Sequence, residues 1–224
     1  EMGIGVHVLG HPVIRIRRDK AGKLLAIGEG ERESLMHLEI DRQSQAAMAT
    51  IKARLAQALE DVRAIVADWQ PMQDKMRAVA DELGTRRMPL PDEGKREAQE
   101  FLRWAANDHF TFLGYREYTV RKQGKDEVLV ADEDSGMGLL RGKDSGAPRL
   151  LKSLAAHGMP QSGAVDALIL TKTNARATVH RPGYMDYIGV LGFDAKGKPV
   201  SEQRFLGLYT SSAYNRRPWD IPVV

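Results

Sequence analysis

The sequence predicts an α+β protein in which an antiparallel sheet is covered by helices on one face. Two observations indicate this class. Apolar residues repeat first with the period of strands and then with that of helices, and strand-like segments fill the last third of the chain. The 224 residues are 42% hydrophobic and 28% charged, which suits one large domain or two small ones with apolar cores.

The first forty residues indicate strands joined by turns. Residues 12–17 alternate between apolar and basic side chains, and residues 35–42 alternate again with their apolar side chains on one face. Between them, residues 19–23 predict a hairpin turn, because aspartate accepts hydrogen bonds from the turn backbone and Gly22 can adopt a positive φ. Residues 24–27 are expected to return as a strand.

A long helix is predicted next, because the apolar period changes to steps of three and four residues. The stripe consists of Met48, Ile51, Leu55, Leu59, Val62, Val66 and Trp69. Ser44 or a neighbouring residue is the expected N-cap. Pro71 is expected to separate this helix from a second one that ends at Gly84, with a kink between the two rods. The stripe suits packing within the chain and packing across a dimer.

Residues 87–94 contain two prolines and a glycine, and this composition predicts a linker with a domain boundary. A third helix is expected beyond the linker and ends near His109. Its apolar face consists of Ala98, Phe101, Leu102 and Ala105. Residues 110–120 then predict a strand rich in aromatic side chains, which turns at residues 123–126 and returns over residues 128–130.

The last third predicts a meander of strands. The expected strands are residues 167–173, 175–180, 185–193 and 204–210. A turn at residues 194–198 repeats the Asp-x-x-Gly-Lys form of residues 19–23. A short helix is indicated before the meander by Leu150, Leu151, Leu154 and Ala155. Helices followed by such a meander are typical of an α+β fold.

Searches for catalytic motifs return none. The absence of cysteine excludes disulfides, cysteine-ligated metals and thiol nucleophiles. The segment Gly136-x-Gly138 lacks the third glycine of a dinucleotide fingerprint. The six histidines lack metal-ligand spacing, and His109, next to Asp108 at a helix end, is expected to cap or pack there. No catalytic, cofactor-binding or metal-ligating residue is therefore predicted.

One set of side chains is a candidate for ligand binding. Arg176, His180 and Arg181 could present a site for an anionic ligand from one part of the sheet. The alternative is that they form a polar strand face without a ligand.

The charge balance argues against a nucleic-acid partner, because 33 basic residues face 30 acidic ones and the net charge is +3. A local basic cluster is either a solvated strand end or a phosphate-binding patch. The cluster consists of Arg15, Arg17, Arg18, Lys20 and Lys23. No apolar run approaches the roughly 18 residues that a membrane span needs, and the N-terminus lacks a signal-peptide pattern. A cytoplasmic location without a membrane partner is expected.

Several long strings resemble a known family. The strings are residues 11–13, 34–42, 101–104, 108–116, 179–190 and 204–214, and they span nearly the whole chain. They are similar to the N-terminal region of the large bacterial NAD-specific glutamate dehydrogenases. That resemblance implies a long parent chain that deaminates L-glutamate to 2-oxoglutarate and ammonium with reduction of NAD. It implies no cofactor for this segment, because the catalytic and dinucleotide-binding segments of the family lie far downstream.

The resemblance also implies a domain order. Residues 1–69 are similar to the later part of an ACT-like domain, with two strands and a long helix. Residues 70–97 would hold a second helix and the linker, and residues 98–224 would form a PAS-like α+β domain. The strand and helix that begin an ACT domain are missing from this pattern, so an open sheet edge or an exposed apolar face is expected, covered by a neighbouring chain.

Two hypotheses for function follow, with a remote third. The first is a regulatory and assembly segment of a homo-oligomeric glutamate dehydrogenase, whose partners are the rest of the parent enzyme, a second copy and an amino-acid effector. The second is a purely structural scaffold that binds no small molecule. A polar cavity with converging basic groups would favour the first, and a dry, packed interior the second. An autonomous enzyme would need a cluster of perturbed titratable groups in one cleft.

Overall fold

The computed structural model describes residues 3–86, 88–142, 149–150 (backbone), 167–215, 217 and 221. The described residues confirm the α+β class: helices lie beside antiparallel sheets. The chain divides into two compact units, Glu1–Arg54 and Leu55–Val224. The domain boundaries expected from the sequence, at residues 69/70 and 97/98, stay a prediction.

The first unit is built from short antiparallel strands. They are β1 (Val6–Gly10), β2 (Val13–Arg18), β3 (Leu24–Ile27), β4 (Glu31–Ser34) and β5 (His37–Ile40). The strands β1 and β5 pair with each other, and β2 pairs with β3 and β4. The resemblance implied two strands before the helix, so this part of the chain holds more strands than expected.

The predicted turn between β2 and β3 is confirmed. Asp19 Oδ1 accepts hydrogen bonds of 2.9 Å from the backbone N–H groups of Ala21 and Lys23. Gly22 has a φ of +82°, a conformation that costs glycine little because it has no Cβ. In the later hairpin, Asp194 Oδ1 accepts the equivalent hydrogen bonds from the backbone N–H groups of Lys196 and Lys198, as the repeated sequence pattern predicts.

The helix α1 runs without interruption from Gln45 to Thr85. Ser44 caps it as predicted, since its Oγ accepts a 3.2 Å hydrogen bond from the Ala47 N–H. The predicted division into two helices at Pro71 is wrong. Pro71 has no N–H to donate to the carbonyl of Ala67, four residues earlier in the helix. Ala67 is exposed, so water can donate to that carbonyl instead. The turns beyond Pro71 are held by fully buried side chains, namely Met72, Met76, Val79 and Leu83.

The second unit contains the larger sheet. Its elements are α2 (Asp92–Trp104), β6 (Phe110–Gln123), β7 (Asp126–Ala131), β8 (Met137–Gly138), β9 (Arg149–Leu150), β10 (Leu168–Arg176), β11 (Tyr184–Phe193), β12 (Pro199–Tyr209) and a short helix, Ser211–Tyr214. The strand order is β10-β11-β12-β6-β7-β9, and every pair is antiparallel. The two-residue strand β8 pairs with β6.

Several predicted boundaries change in this unit. The predicted strand at residues 175–180 does not form: β10 ends at Arg176, and a loop closes with a 2.8 Å hydrogen bond from Ala177 N–H to the Gly183 carbonyl. The predicted strand at 204–210 begins earlier, at Pro199. Leu150 lies in β9, and the rest of the predicted helix at Leu151, Leu154 and Ala155 lies outside the described residues.

Each face of the large sheet has its own apolar cluster. On one face, α2 and the second half of α1 cover the sheet, and Phe205 lies fully buried beneath them. On the opposite face a second cluster holds Leu113, Ile169 and Leu208, together with Ile65 from the middle of α1. The curled sheet therefore packs helices against one face, as predicted, and also has a buried second face.

Candidate functional site

The helix-covered face changes from apolar to polar along the strands. Three successive rows cross β11, β12 and β6: Ile188–Phe205–Tyr115, then Val190–Gln203–Glu117, then Gly192–Ser201–Thr119. The first row lies in the core. The helix α1 ends at Thr85, and the next residue, Arg86, reaches the second row with a 3.3 Å hydrogen bond to Gln203 Oε1. None of the described residues that line the space above the third row belongs to a helix, and this row is called the floor below.

A cavity of about 440 Å³ opens over that floor. It is lined by Arg86, Met88, Glu117, Tyr118, Thr119, Asp132, Leu191, Gly192, Phe193, Val200, Ser201, Glu202 and Gln203. Gly192 matters here, because a Cβ at this position would overlap Ser201 Oγ. A larger residue would therefore displace the serine hydroxyl from the floor.

A chain of hydrogen bonds connects the cavity to the helix-covered core. Glu117 Oε1 lies 2.7 Å from Lys75 Nζ and accepts a 2.7 Å hydrogen bond from the Tyr115 hydroxyl. Gln203 Nε2 donates to the Tyr115 oxygen at 3.3 Å. Burial raises the pKa of Tyr115, and the bond to Glu117 adds to the rise. Burial opposes ionisation of Glu117, but Lys75 and Tyr115 outweigh it and lower the Glu117 pKa. The carboxylate is therefore charged at neutral pH.

A buried ion pair lies on the opposite face of the same strands. Arg204 Nε lies 3.1 Å from Glu202 Oε1, and both side chains are buried. The Tyr187 hydroxyl donates to the same Glu202 oxygen, and the Tyr118 ring lies 3.8 Å from the Arg204 guanidinium carbon. These partners satisfy the charges locally, so the arrangement is a structural ion pair of the sheet.

The predicted ligand set lies at the end of the β10–β11 hairpin. The guanidinium carbon of Arg176, on β10, lies 5.3 Å from the ring centroid of Tyr184, on the paired strand β11. Arg181 donates a 2.9 Å hydrogen bond to the Tyr209 carbonyl and lies 5.6 Å from the Tyr214 ring centroid. His180 is exposed, with a left-handed φ of +69°. The three residues share one hairpin end, away from the lining of the cavity, and their role in binding stays a prediction.

Sequence analysis did not identify two groups of polar residues, one beside that hairpin and one in the cavity. Asp186 is buried, with Oδ1 lying 2.5 Å from Lys172 Nζ and Oδ2 accepting a 3.1 Å bond from the Tyr209 N–H. Burial alone would lower the pKa of Lys172, but the ion pair with Asp186 outweighs it, and the Lys172 pKa is raised. The cavity residues Arg86, Glu117 and Gln203 were also missed. Glu117 and Gln203 lie within β6 and β12, and Arg86 follows α1, so only helix length and strand register bring them together.

His109 behaves as the sequence predicts. Its ring stacks on Trp104 with centroids 4.6 Å apart, and its Nδ1 lies 2.9 Å from the Trp104 carbonyl oxygen. The histidine therefore packs at the end of α2. Among the residues that the structure describes, no group of three or more histidine, cysteine or acidic side chains is placed to hold a metal. Within the same residues, no helix combines the length and apolar character of a membrane span.

The chain is similar to a known protein family and to several known proteins. Residues 1–55 match the family described as glutamate dehydrogenase, ACT1 domain. The NAD-specific glutamate dehydrogenase of Pseudomonas aeruginosa is 34% identical over 230 residues, which covers 99% of this chain and 14% of that protein. The protein of the same name in Halomonas elongata is 34% identical over 232 residues, with the same coverage. Over nearly its whole length, the chain is thus similar to one region of NAD-specific glutamate dehydrogenases.

The resemblance read from the sequence strings is thereby confirmed. The NAD-specific glutamate dehydrogenase of Mycobacterium tuberculosis is more distant, at 27% identity over 235 residues that cover 100% of this chain and 13% of that protein. The chain spans about one seventh of the length of these curated relatives. It therefore aligns with one segment of these relatives, and its first 55 residues match the ACT1 domain family.

Proposed function

We propose that this chain is a non-catalytic regulatory and assembly segment of a larger NAD-specific glutamate dehydrogenase. The whole protein would oxidise L-glutamate to 2-oxoglutarate and ammonium in the cytoplasm, with NAD as the cofactor bound elsewhere. The observation that carries the proposal is the match over nearly the whole chain to about one seventh of each relative. The ACT1 match and the polar cavity support the regulatory part.

We also propose that the domain order expected from the sequence applies. Residues 1–69 would be the ACT-like part, residues 70–97 a helical connection, and residues 98–224 a PAS-like module. Support for the last comes from a curled antiparallel sheet with helices over one face and a cavity at the sheet end. Arg176, His180 and Arg181 remain the anionic-ligand set that this proposal assigns to the hairpin end.

Kinetics of a full-length enzyme that contains this segment test the non-catalytic role. Asp186→Asn and His109→Gln change buried polar or ionisable groups outside the cavity. We expect kcat at saturating L-glutamate and NAD to stay within about tenfold, because loss of a general acid or base costs about 100-fold or more. A loss of about 100-fold in a folded variant would contradict the proposal.

A purely structural scaffold is the second candidate, and one surface favours it. The described α1 residues Leu55, Leu59, Val62, Val66 and Trp69 are 38–62% exposed. Their spacing of four and three residues is that of a helix-pairing seam, and a second copy of the same helix supplies a matching seam. Contiguous exposed apolar surface of this kind marks protein contacts. The scaffold candidate therefore commits to a second copy as the partner.

A further inference from the structure

The cavity over the Gly192–Ser201–Thr119 floor has charges of both signs around it. Arg86, which is also ion-paired with Glu82 of α1, supplies a guanidinium from the chain just beyond that helix. Glu117, Asp132 and Glu202 supply carboxylates from β6, the segment after β7 and β12. Arg86 is among the charges that lower the Glu117 pKa, so the two groups interact through space. A ligand that carries one positive and one negative group would be matched at both ends.

The polar atoms of this cavity are held in place by the protein itself. Lys75 and Tyr115 fix the Glu117 carboxylate, and Arg86 and Tyr115 fix the two ends of the Gln203 amide. Such fixed groups lower the ordering cost of binding. The hydroxyls of Ser201 and Thr119 lie next to one another on paired strands, and Gly192 leaves room for the serine.

The size and remaining lining suit a small metabolite. A volume of about 440 Å³ lies within the usual range for small-molecule sites, about 300–1,000 Å³. Met88, Phe193 and Val200 add apolar surface to the walls. These side chains would contact the carbon skeleton of a ligand whose charged groups meet Arg86 on one side and Glu117 on the other.

We propose that this cavity binds a small zwitterion of the α-amino acid class. Its carboxylate would bind to Arg86 and the floor hydroxyls, and its ammonium to Glu117 and Asp132. The assignment of this zwitterion as an effector rests on the regulatory function proposed above, whereas the binding itself does not.

Calorimetric titration of the purified chain tests the ligand class. The probes are the standard L-amino acids, each beside its analogues that lack the α-ammonium or the α-carboxylate group. We expect at least one amino acid to bind and both of its analogues to bind about tenfold more weakly or not at all, because each loses a charge-assisted hydrogen bond. Absence of binding by every amino acid, or equal binding of an analogue, would overturn the proposal.

Two variants with matched controls locate the site. Arg86→Gln and Thr119→Val should each weaken binding of that amino acid, Arg86→Gln by about tenfold or more. Arg103→Gln makes the same change on an exposed face of α2, and Thr171→Val makes the same change in β10 on the opposite sheet face. Both controls should bind as the unmodified chain does. Loss of binding in Arg181→Gln with retention in Arg86→Gln would place the ligand at the hairpin end and overturn the cavity assignment.

Activity of a full-length enzyme separates this inference from the proposed function. The amino acid that binds should change the rate, and Arg86→Gln should remove that response. Binding to the chain without any change in rate would support the ligand site and contradict the regulatory role. Failure to bind would overturn the ligand site, whatever the kinetic variants show about catalysis.

Discussion

At the scale of single residues, the charged side chains of the sheet are paired with partners on the same strand, on a neighbouring strand or on α1. Glu202 and Arg204 lie on one face of β12, while Gln203 between them points to the other face with Glu117. Period-two alternation thus places the Glu202–Arg204 ion pair and the Gln203 side chain on opposite faces of β12, and Glu202 also borders the cavity. The consequence is that neighbouring substitutions should have different effects, on stability at Glu202 and on binding near Gln203.

Substitution of Glu202 tests the structural role of the ion pair. Glu202→Gln should lower the free energy of unfolding by about 3 kcal/mol, because it leaves the buried Arg204 charge without a countercharge. Urea unfolding followed by circular dichroism measures the change. The exposed pair Arg103–Asp81 supplies the control, since Asp81→Asn should cost less than about 1 kcal/mol.

The double variant Glu202→Leu with Arg204→Met tests whether the unpaired buried charge causes the loss of stability. Removal of both charges should recover most of the stability that Glu202→Gln loses, because no unpaired charge remains buried. A loss below about 1 kcal/mol in Glu202→Gln would show that the pair does not carry the stability assigned to it.

At the scale of elements, α1 is the part of the fold that departs most from sequence expectation. Its first half carries an exposed apolar stripe, and its second half is buried against the sheet. Asp68, between the halves, accepts a 2.7 Å hydrogen bond from the Gly138 N–H and pairs with Arg141. The helix therefore holds the β8 turn, and its end at Thr85 defines where the cavity begins.

Pro71 should reduce the stability of this helix. Pro71→Ala restores the backbone donor at an exposed interior position, and proline there costs up to about 3 kcal/mol relative to alanine. We expect the variant to unfold at higher urea concentration, with a gain of about 1–3 kcal/mol. Ala78→Pro, on an exposed turn further along, is the opposite control and should destabilise by a similar amount. Lower stability in Pro71→Ala would mean that proline serves the packing of the helix.

At the scale of the whole molecule, the surface proposed for assembly and the cavity proposed for ligand binding are separate parts of the second unit. The exposed seam consists of Leu55, Leu59, Val62, Val66 and Trp69, whereas the cavity lies at the other end of α1. Separate surfaces allow one role to be removed without the other. That separation makes the regulatory and scaffold proposals distinguishable by mutation.

Charged substitutions in the seam test assembly. Leu59→Glu with Val66→Glu should shift the chain toward monomer in sedimentation experiments, because two negative charges would be buried against an apolar partner. Ala67→Glu adds a charge on an exposed position off the seam and should leave the oligomer unchanged. Amino acid binding in the titration should be unaffected in both variants. A monomeric unmodified chain, or an unchanged oligomer in the double variant, would contradict the role of a second copy.

The sequence by itself determined the α+β class, the family resemblance, the Asp-x-x-Gly-Lys turns and the cap at Ser44, because each depends on local periodicity or on residues adjacent in the chain. Tertiary structure decided the continuity of α1 through Pro71, since burial of Met72, Met76, Val79 and Leu83 outweighs one lost backbone bond. It also decided the cavity. Arg86, Glu117 and Ser201 are far apart in sequence, and only helix length and strand register bring them together.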